Sequence, residues 1–367
     1  CNTGIMNYDM EASYEKYIHD FRTEDEVYGV WQMIAPGKRG CGEASPLWGC
    51  ANVIMPYWMY RYYGNDGIVR SHWDQMEKWM RHEIDDAKKD KSLYEDELII
   101  SRGLGDWCPP LGNRHERRIP VPESSTAMFY ETACLMDELS KELGLPTALD
   151  YADLAARIKE AFNRHFWISD LHRYSTWGTC GVALMTGLYP DGEREALVQA
   201  LLKLMDEDNY AMSTGIYGNK YLIPALSVEG YGDIALKYMF NRGFHSFGTI
   251  LDKGATSLWE CLEHDFTMPR EVGTASYNHP MHSGFAYFLY AYVGGIKPLT
   301  PGFATFEVSP CDYEGIPSAT VSHVSPFGEI KVDFKREAGK TVYTVTVPAG
   351  SVGYFRKGDL NEKMGSG

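Results

Sequence analysis

The feature that most constrains the fold is a change in hydrophobic periodicity near Gly295. Before this residue, apolar side chains recur at helical spacing, most regularly over residues 147–166. After it, apolar and polar residues alternate one by one, as in the Val- and Thr-rich segment 340–347. The first pattern is typical of amphipathic helices and the second of half-buried strands. The sequence therefore predicts a long helical region followed by a small antiparallel β-sheet region.

The predicted helices come in pairs. Short turns that contain glycine join the two members of a pair, and longer loops lead to the next pair. This rhythm is typical of a toroid of helical hairpins, in which the long loops gather on one face and build a site. The predicted helices span residues 55–64, 68–84, 124–143, 147–166, 179–187, 194–205, 221–227, 231–241 and 283–293. The long loops span residues 30–48, 90–122, 207–220 and 252–280.

The β region is predicted to form a separate domain. A linker at 297–302, Lys-Pro-Leu-Thr-Pro-Gly, marks the boundary between a helical domain at 1–295 and a small sandwich at 296–357. Residues 358–367 are polar and rich in glycine, which predicts a flexible tail. The predicted strands span residues 303–308, 318–324, 328–335 and 340–347.

Charge and motif content argue against several function classes. The chain has 35 Lys and Arg against 50 Asp and Glu, a net charge of −15, whereas nucleic-acid binding needs a positive field. No apolar run reaches the roughly 18 residues of a membrane-spanning helix, so no membrane insertion is expected. The eight cysteines form no C-x-x-C pair, and no Walker A, G-x-G-x-x-G or G-x-S-x-G motif occurs. Neither a metal nor a cofactor is therefore predicted.

Several loop segments combine tryptophan with groups that bind hydroxyls. Trp48 lies where a loop meets a helix, and Asp106 precedes Trp107 in a long loop that contains two glycines. A Trp ring offers a stacking face and a carboxylate accepts hydrogen bonds from hydroxyl groups. The alternative for the second segment is a buried Trp beside an Asp that forms a turn.

Two further segments carry titratable groups. Glu260 follows Trp259 and a run of small residues, and in apolar surroundings its carboxyl would suit a general acid or base. A glutamate on a helix surface is the alternative. Asn278 and His279 precede an apolar segment, where they would bind a polyol or cap a helix. Their spacing to His282 matches no metal-binding motif.

Taken in chain order, these segments resemble the bacterial α-L-rhamnosidases of glycoside hydrolase family 78. The matching motifs are Trp-Gly at 48–49, Gly-Asp-Trp at 105–107, Ala-Thr-Ser-Leu-Trp-Glu at 255–260, Ser-Tyr-Asn-His at 276–279 and the junction Ala-Tyr-Val-Gly-Gly-Ile at 291–296. The resemblance implies a mainly α fold, an (α/α)6 barrel or six-hairpin toroid without its first helices, followed by a small antiparallel β-sandwich. It also implies inverting hydrolysis of terminal α-L-rhamnose from an oligosaccharide or glycoside, without a cofactor.

The resemblance implies roles for individual residues as well. Glu260 falls on the family's Trp-Glu motif and is expected to be the general base that activates water. His279 falls on the Asn-His motif and is expected to contact the sugar near that water. Trp48 and Trp107 are expected to wall the rhamnose pocket. The other residues expected to bind substrate are Asp106, Trp259 and Asn278.

The sequence departs from the family at the general acid. The family's acid lies in an Asp-Cys-Pro-x-Arg-Glu motif, which this chain lacks and which would precede residues 2–8. An inverting glycosidase needs two carboxyls about 6.5–9.5 Å apart. Glu43, Glu116 and Glu123 are substitutes without a motif behind them. We therefore expect the chain to be a piece of a longer protein and to have little activity by itself.

Two other interpretations stay open. Helical toroids host many carbohydrate reactions, so a different inverting glycosidase or a lyase would fit the same fold, and a degenerate site would leave a sugar-binding protein. A periplasmic or secreted location suits glycan degradation, whereas scattered free thiols favour a reducing compartment, and the sequence does not decide between them. It predicts no oligomeric state.

Overall fold

The computed structural model describes residues 1–28, 31–35, 42–89, 94, 98–111, 115–263, 276–337 and 339–365. Parts of the predicted loops 30–48, 90–122 and 252–280 lie outside these ranges. The helices are α1 (Asn2–Asn7), α2 (Glu11–Tyr28), α3 (Pro46–Gly49), α4 (Ala51–Tyr63), α5 (Gly67–Lys89), α6 (Val121–Leu143), α7 (Tyr151–Phe166), α8 (Trp177–Thr186), α9 (Arg194–Glu207), α10 (Ile216–Val228), α11 (Gly232–Met239) and α12 (Phe247–Asp252).

Consecutive helices pair into hairpins that form a ring. Helix α4 packs on α5, α6 on α7, α8 on α9 and α10 on α11. The first member of each hairpin also packs on the first member of the next, which joins α4, α6, α8 and α10 in sequence. Helices α8 and α10 are buried around most of their circumference, whereas α5 and α7 bury one apolar stripe. The first members therefore form the inner wall of a helical toroid.

The β-domain consists of two sheets. One contains β1 (Ile296–Pro298), β2 (Thr305–Val308), β6 (Val352–Lys357) and β7 (Leu360–Met364) in the order β1-β2-β6-β7, and the other contains β3 (Ser318–Ser325), β4 (Gly328–Glu337) and β5 (Lys340–Thr346). Neighbouring strands are antiparallel, except that β2 and β6 are parallel. Phe306 and Phe355 of the first sheet share a buried apolar cluster with Ile330 and Val332 of the second. The two sheets therefore pack face to face.

Side chains from the helical domain complete the core of the β-domain. Ile5, Met6 and Tyr62 belong to the same apolar cluster as the strands. The Tyr62 ring lies 5.5 Å from the Phe303 ring, centre to centre, in an edge-to-face arrangement. The carboxylate of Asp233 in α11 accepts hydrogen bonds from two backbone N–H groups just before β3, those of Glu314 and Gly315. The two domains therefore share one continuous packed interface.

The structure confirms the mainly α fold with a small β-domain, and it differs from the sequence prediction in several places. Helices α1, α2, α3 and α12 and strands β1 and β6 lie outside the predicted helices and strands. The predicted helix at 283–293 is a 3₁₀ turn at Pro280–Ala286 and a π-helical turn at Leu289–Val293. The predicted flexible tail at 358–367 contains β7, whose mostly exposed residues have no alternating pattern and pair with β6 through the backbone. Within the described ranges, none of the helices has the length and apolarity to cross a membrane.

Candidate active site

The loop that carries Asp106 and Trp107 is fixed on the start of helix α10. The Asp106 carboxylate accepts hydrogen bonds of 2.7–3.1 Å from three backbone N–H groups, those of Gly215, Tyr217 and Gly218. The Ile216 N–H donates to the Trp107 carbonyl oxygen at 3.0 Å. These are the four N–H groups that the first turn of a helix leaves without intrahelical acceptors. Residues 106 and 107 therefore cap α10 together, and the carboxylate suits the positive end of the helix dipole.

The docking of this loop explains why residue 215 is a glycine, and it determines the environment of Asp106. A Cβ atom on Gly215 would lie 1.9 Å from the Trp107 carbonyl oxygen, so only glycine fits there. Asp106 is fully buried. Burial raises the pKa of Asp106 to about 6, although the three N–H donors oppose that rise. The position of Asp106 argues against its predicted role in substrate binding. The described contacts of its carboxylate go to the backbone of α10, and the residue has no exposed surface.

Trp107 joins this loop to the loop that carries Glu260. Its indole N–H donates a hydrogen bond of 2.9 Å to Oε1 of Glu260, which lies 153 residues further along the chain. Glu260 lies in a bend rather than on a helix, and its side chain is 18% exposed. The glutamate is therefore held by a loop contact and keeps a path to solvent.

Glu260 is also fixed by a ladder between residues 257–260 and 276–279. The Glu260 N–H donates to the Ser276 carbonyl oxygen at 2.8 Å, and the Ser276 N–H donates to Glu260 Oε2 at 2.9 Å. The His279 N–H donates to the Leu258 carbonyl oxygen at 2.8 Å, and the Ser257 hydroxyl donates to the Tyr277 carbonyl oxygen at 2.6 Å. The two segments therefore hold the carboxylate in one orientation.

Two histidines flank Glu260 and have different surroundings. His279 Nδ1 lies 3.5 Å from Glu260 Oε2, and among the described residues its other ring nitrogen, Nε2, has no hydrogen-bond partner. His282 is buried, and its Nε2–H donates to the Glu260 carbonyl oxygen at 2.8 Å. Burial lowers the pKa of His282 to about 4, although that hydrogen bond opposes the shift, so the ring is neutral at pH 7. His279 therefore faces the carboxylate, while His282 supports its backbone.

The electrostatics keep Glu260 ionised. Desolvation alone would raise the pKa of Glu260, but the Ser276 N–H, the Trp107 indole and the two histidines outweigh it and hold the pKa below its ordinary value. Each carboxylate oxygen has about two lone-pair sites. Oε1 accepts one described hydrogen bond, so it keeps a site for a further donor such as a water. An ionised, oriented and partly exposed carboxylate has the properties of a general base.

Trp48 and a cavity complete the cluster. The Trp48 and Trp107 rings lie edge to face with their centres 6.2 Å apart. A cavity of about 270 Å³ lies against Trp107. Its lining residues are Trp107, Cys108, Pro109, Leu111, His115, Arg118 and Glu263. The structure therefore brings together Trp48, Trp107, Glu260 and His279 beside a concave surface.

Trp259 and Asn278 have different surroundings from these four residues. Trp259 is 1% exposed and packs edge to face on Tyr277, with ring centres 5.2 Å apart, so its ring belongs to the core. Asn278 is exposed, and its backbone N–H donates to the Ser276 hydroxyl oxygen at 3.1 Å. The predicted contacts of these two side chains with substrate stay predictions, and the placement of Trp259 argues against a direct contact.

Three features of the site did not follow from the sequence. The backbone N–H of Ser276 binds the carboxylate, His282 supports the Glu260 carbonyl, and Cys108 touches Cys261. A backbone N–H donor cannot be recognised from the sequence, because almost every residue type has one. For His282 the only indication in the sequence is its position three residues after His279. The cysteines follow Trp107 and Glu260 directly, so the contact between those two residues would have predicted the cysteine contact.

A second polar cluster contains Glu43, one of the substitutes for the general acid. Ligand-type atoms of Glu43, His82 and Asp86 lie within 4.8 Å of one another. Arg102 Nη2 lies 3.0 Å from His82 Nε2 and pairs with the buried Asp86 carboxylate, which Lys89 also contacts at 2.8 Å. Two cationic side chains already balance these carboxylates, which favours a charge network over a metal site.

The chain matches two protein-family models. Residues 1–293 match the bacterial alpha-L-rhamnosidase 6 hairpin glycosidase domain, and residues 295–354 match the bacterial alpha-L-rhamnosidase C-terminal domain. An alpha-L-rhamnosidase of Formosa agariphila is 32% identical over 376 aligned residues, which cover 95% of this chain and 38% of that protein. An alpha-L-rhamnosidase of Streptomyces avermitilis is 27% identical, with 93% and 32% covered. The chain thus spans about a third of the length of these relatives.

Solved structures give the same result. The α-L-rhamnosidase of Streptomyces avermitilis in complex with L-rhamnose superposes with a TM-score of 0.83 at 25% identity, covering 96% of this chain and 35% of that one. The α-L-rhamnosidase from Dictyoglumus thermophilum superposes with a TM-score of 0.85 at 25% identity, covering 96% and 39%. From the two family matches and these likenesses, the chain belongs to the bacterial α-L-rhamnosidase family, over its six-hairpin glycosidase domain and its C-terminal domain.

Proposed function

We propose that the chain supplies the catalytic region of an enzyme that removes terminal α-L-rhamnose by inverting hydrolysis. The observation that carries the proposal is Glu260, a partly exposed carboxylate that Trp107 and Ser276 orient and keep ionised. Membership of the family supports rhamnose as the sugar, and one similar structure contains L-rhamnose.

In this mechanism Glu260 acts as the general base. A water hydrogen-bonded to Oε1 attacks the anomeric carbon while its proton passes to the carboxylate. The bond to the leaving oxygen breaks as the general acid, a second carboxyl group, gives that oxygen a proton. Attack from the face opposite the leaving group inverts the anomeric configuration. The Trp107 indole and the Ser276 N–H hold the carboxylate in place during this step, so that it pays little reorganisation energy.

The surroundings suit a neutral deoxy sugar. The Trp48 and Trp107 rings offer apolar surface for the methyl group at C6. The His279 side chain, which is 22% exposed beside Glu260, is expected to contact the sugar near the attacking water. The neighbouring cavity of about 270 Å³ would receive the group to which rhamnose is attached.

The general acid is proposed to lie outside these 367 residues. Glu43 contacts His82 at 3.0 Å within the charge network, and Glu116 is 69% exposed. Glu123 is buried and accepts hydrogen bonds from the hydroxyls of Ser175 and Thr179. None of these described contacts involves Glu260, Trp107 or His279, which supports an acid supplied by another part of a longer enzyme.

The decisive test is Glu260→Gln in a form of the protein long enough to include the acid motif. We expect kcat on an aryl α-L-rhamnoside to fall about 10²–10⁴-fold, because the amide cannot accept the proton. Glu207→Gln, an exposed change on α9, is the matched control and should keep the wild-type rate. A loss below tenfold for Glu260→Gln would remove Glu260 from the base role.

Two further measurements separate the alternatives. Proton NMR of the first-formed product should show the β-anomer of L-rhamnose, and an α-anomer would contradict inversion. The chain alone should bind rhamnose yet turn over much more slowly than the longer form, and equal rates would place the acid within the chain. Binding without turnover in both forms would favour a sugar-binding protein, and turnover of another sugar would favour a different glycosidase or a lyase.

A further inference from the structure

Two cysteine side chains meet immediately beside the contact between Trp107 and Glu260. The Sγ atoms of Cys108 and Cys261 lie 3.1 Å apart and share a hydrogen bond. A disulfide joins sulfurs at about 2.05 Å, so a small approach would bring these two atoms to bonding distance. Cys108 has a φ of 51°, in the left-handed region that favours glycine, yet the position carries a side chain.

The thiols of Cys108 and Cys261 are partly exposed, unlike those of Cys50 and Cys180. Cys108 also lines the 270 Å³ cavity. Hydrogen bonding with Cys108 lowers the pKa of Cys261, although the nearby carboxylates of Glu260 and Glu263 oppose that shift. By contrast, burial raises the pKa of Cys50 and Cys180 to about 12. Thiolate formation and access together favour reaction at Cys261.

We propose that Cys108 and Cys261 form a reversible disulfide when the protein meets a low-molecular-weight disulfide such as oxidised glutathione. The Cys261 thiolate attacks one sulfur of the oxidant, which forms a mixed disulfide and releases one glutathione thiolate. Cys108, after losing its proton, attacks the Cys261 sulfur and releases the second glutathione thiolate. The two protons from the protein thiols end on the two glutathione molecules, and the oxidant takes up two electrons.

This bond would link the two loops that build the site. The Trp107–Glu260 hydrogen bond and the cysteine contact are adjacent rungs, because each joins residues 153 positions apart. A covalent bond between Cys108 and Cys261 would restrict the separation of Trp107 from Glu260. Closing so long a loop in the unfolded chain removes much of its conformational entropy, so we expect oxidation to raise the Tm by about 2–6 °C. This inference does not depend on the hydrolytic role.

The test is a thiol map of the chain before and after incubation with oxidised glutathione. Unreacted thiols are blocked with N-ethylmaleimide, and the protein is digested without reduction and analysed by mass spectrometry. We expect simultaneous loss of two blocked thiols, a linked peptide pair that contains Cys108 and Cys261, and a Tm increase that dithiothreitol reverses. Cys134→Ser, an unrelated cysteine on α6, should behave like the wild type. Cys108→Ser and Cys261→Ser should give neither the linked pair nor the Tm increase.

Other outcomes would overturn the proposal. Blocking of both thiols after oxidation would show that the bond does not form, and a stable glutathione adduct on Cys261 would show that Cys108 cannot displace it. A link from either residue to another cysteine would contradict the pairing. Because the thiol map is made on the wild-type chain, it decides the question even if a serine variant fails to fold.

Discussion

The loops that carry Trp107 and Glu260 are built in a different way from the β-sandwich. In the sandwich, β3, β4 and β5 pair with neighbours in sequence, and alternate residues such as Ile330 and Val332 fill an apolar core. In the site, contacts join residues 153 positions apart, and most of them satisfy a backbone group or a carboxylate. The stability of the sandwich therefore depends on apolar burial, whereas the geometry of the site depends on paired polar groups.

The largest expected effect is on stability. It tests whether a buried polar group in the site contributes as much to the free energy of unfolding as an apolar residue in the sandwich core. Asp106→Ala leaves three backbone N–H groups without an acceptor, each costing about 1–3 kcal/mol, so we expect the free energy of unfolding to fall by about 3–5 kcal/mol. Urea unfolding measures this change. Phe306→Ala in the sandwich core should cost a similar amount through a cavity.

Binding distinguishes the two variants. Asp106→Ala should also weaken rhamnose binding, measured by calorimetry, because it releases the loop that holds Trp107. Phe306→Ala should leave the affinity unchanged while the protein is folded. If Asp106→Ala had wild-type stability, water would have replaced the carboxylate as the acceptor. That result would contradict the conclusion that the site depends on paired polar groups.

The site and the sandwich each contain a buried histidine, so both should make stability depend on pH. Burial lowers the pKa of His282 in the site and of His323 in the sandwich to about 4, against 6.5 for an ordinary histidine. The unfolded chain therefore takes up these protons at a higher pH than the folded chain. As a result the free energy of unfolding falls as the pH drops from about 6.5 towards 4, by up to about 1.4 kcal/mol per pH unit for each histidine.

Glutamine at either position should flatten this pH dependence. Urea unfolding at pH 7, 6 and 5 would show a shallower decline for His282→Gln and for His323→Gln than for the wild type. Only His282→Gln should also alter hydrolysis, because His282 supports the Glu260 carbonyl. Unchanged slopes in both variants would contradict the burial of neutral histidines.

The smallest expected effect is on the carboxylate itself. Trp107→Phe keeps an aromatic ring but removes the indole N–H, so the pKa of Glu260 should rise and the acid limb of kcat/KM should move to higher pH. For this partly exposed contact we expect about 1 kcal/mol, a fivefold to tenfold loss in kcat, with stability nearly unchanged. An acid limb that does not move would mean that the indole does not set the basicity of Glu260.

Local patterns predicted most of the longer helices and strands β2 to β5, but not helix α2 or strands β1 and β6. The stripe at 147–166 corresponds to α7, which begins slightly later because Asp150 caps it by accepting the Asp153 N–H. Strands β3, β4 and β5 follow their alternating residues. Strand β7 could not be predicted, because its residues are mostly exposed and its pairing with β6 decides its conformation.

The site could be predicted only in part. The residues around Glu260 are compatible both with a general acid or base and with a glutamate on a helix surface. Only the family resemblance favours the role of general base. The same resemblance assigned Asp106 to substrate binding, whereas its N–H partners begin 109 residues later, at the start of α10. Loop docking of this kind depends on where distant helices end, and no local pattern encodes it.

The sharing of apolar core between the first helix and the β-domain has a consequence for biosynthesis. The His323 ring meets the Met6 carbonyl oxygen at 3.5 Å, across 317 residues of chain. At a translation rate of about 5–20 residues per second, Ile5 and Met6 would leave the ribosome roughly 15–60 s before their strand partners. During that interval these side chains would be exposed to chaperones and to other nascent chains. The boundary between the two domains is therefore not a boundary between steps of co-translational folding.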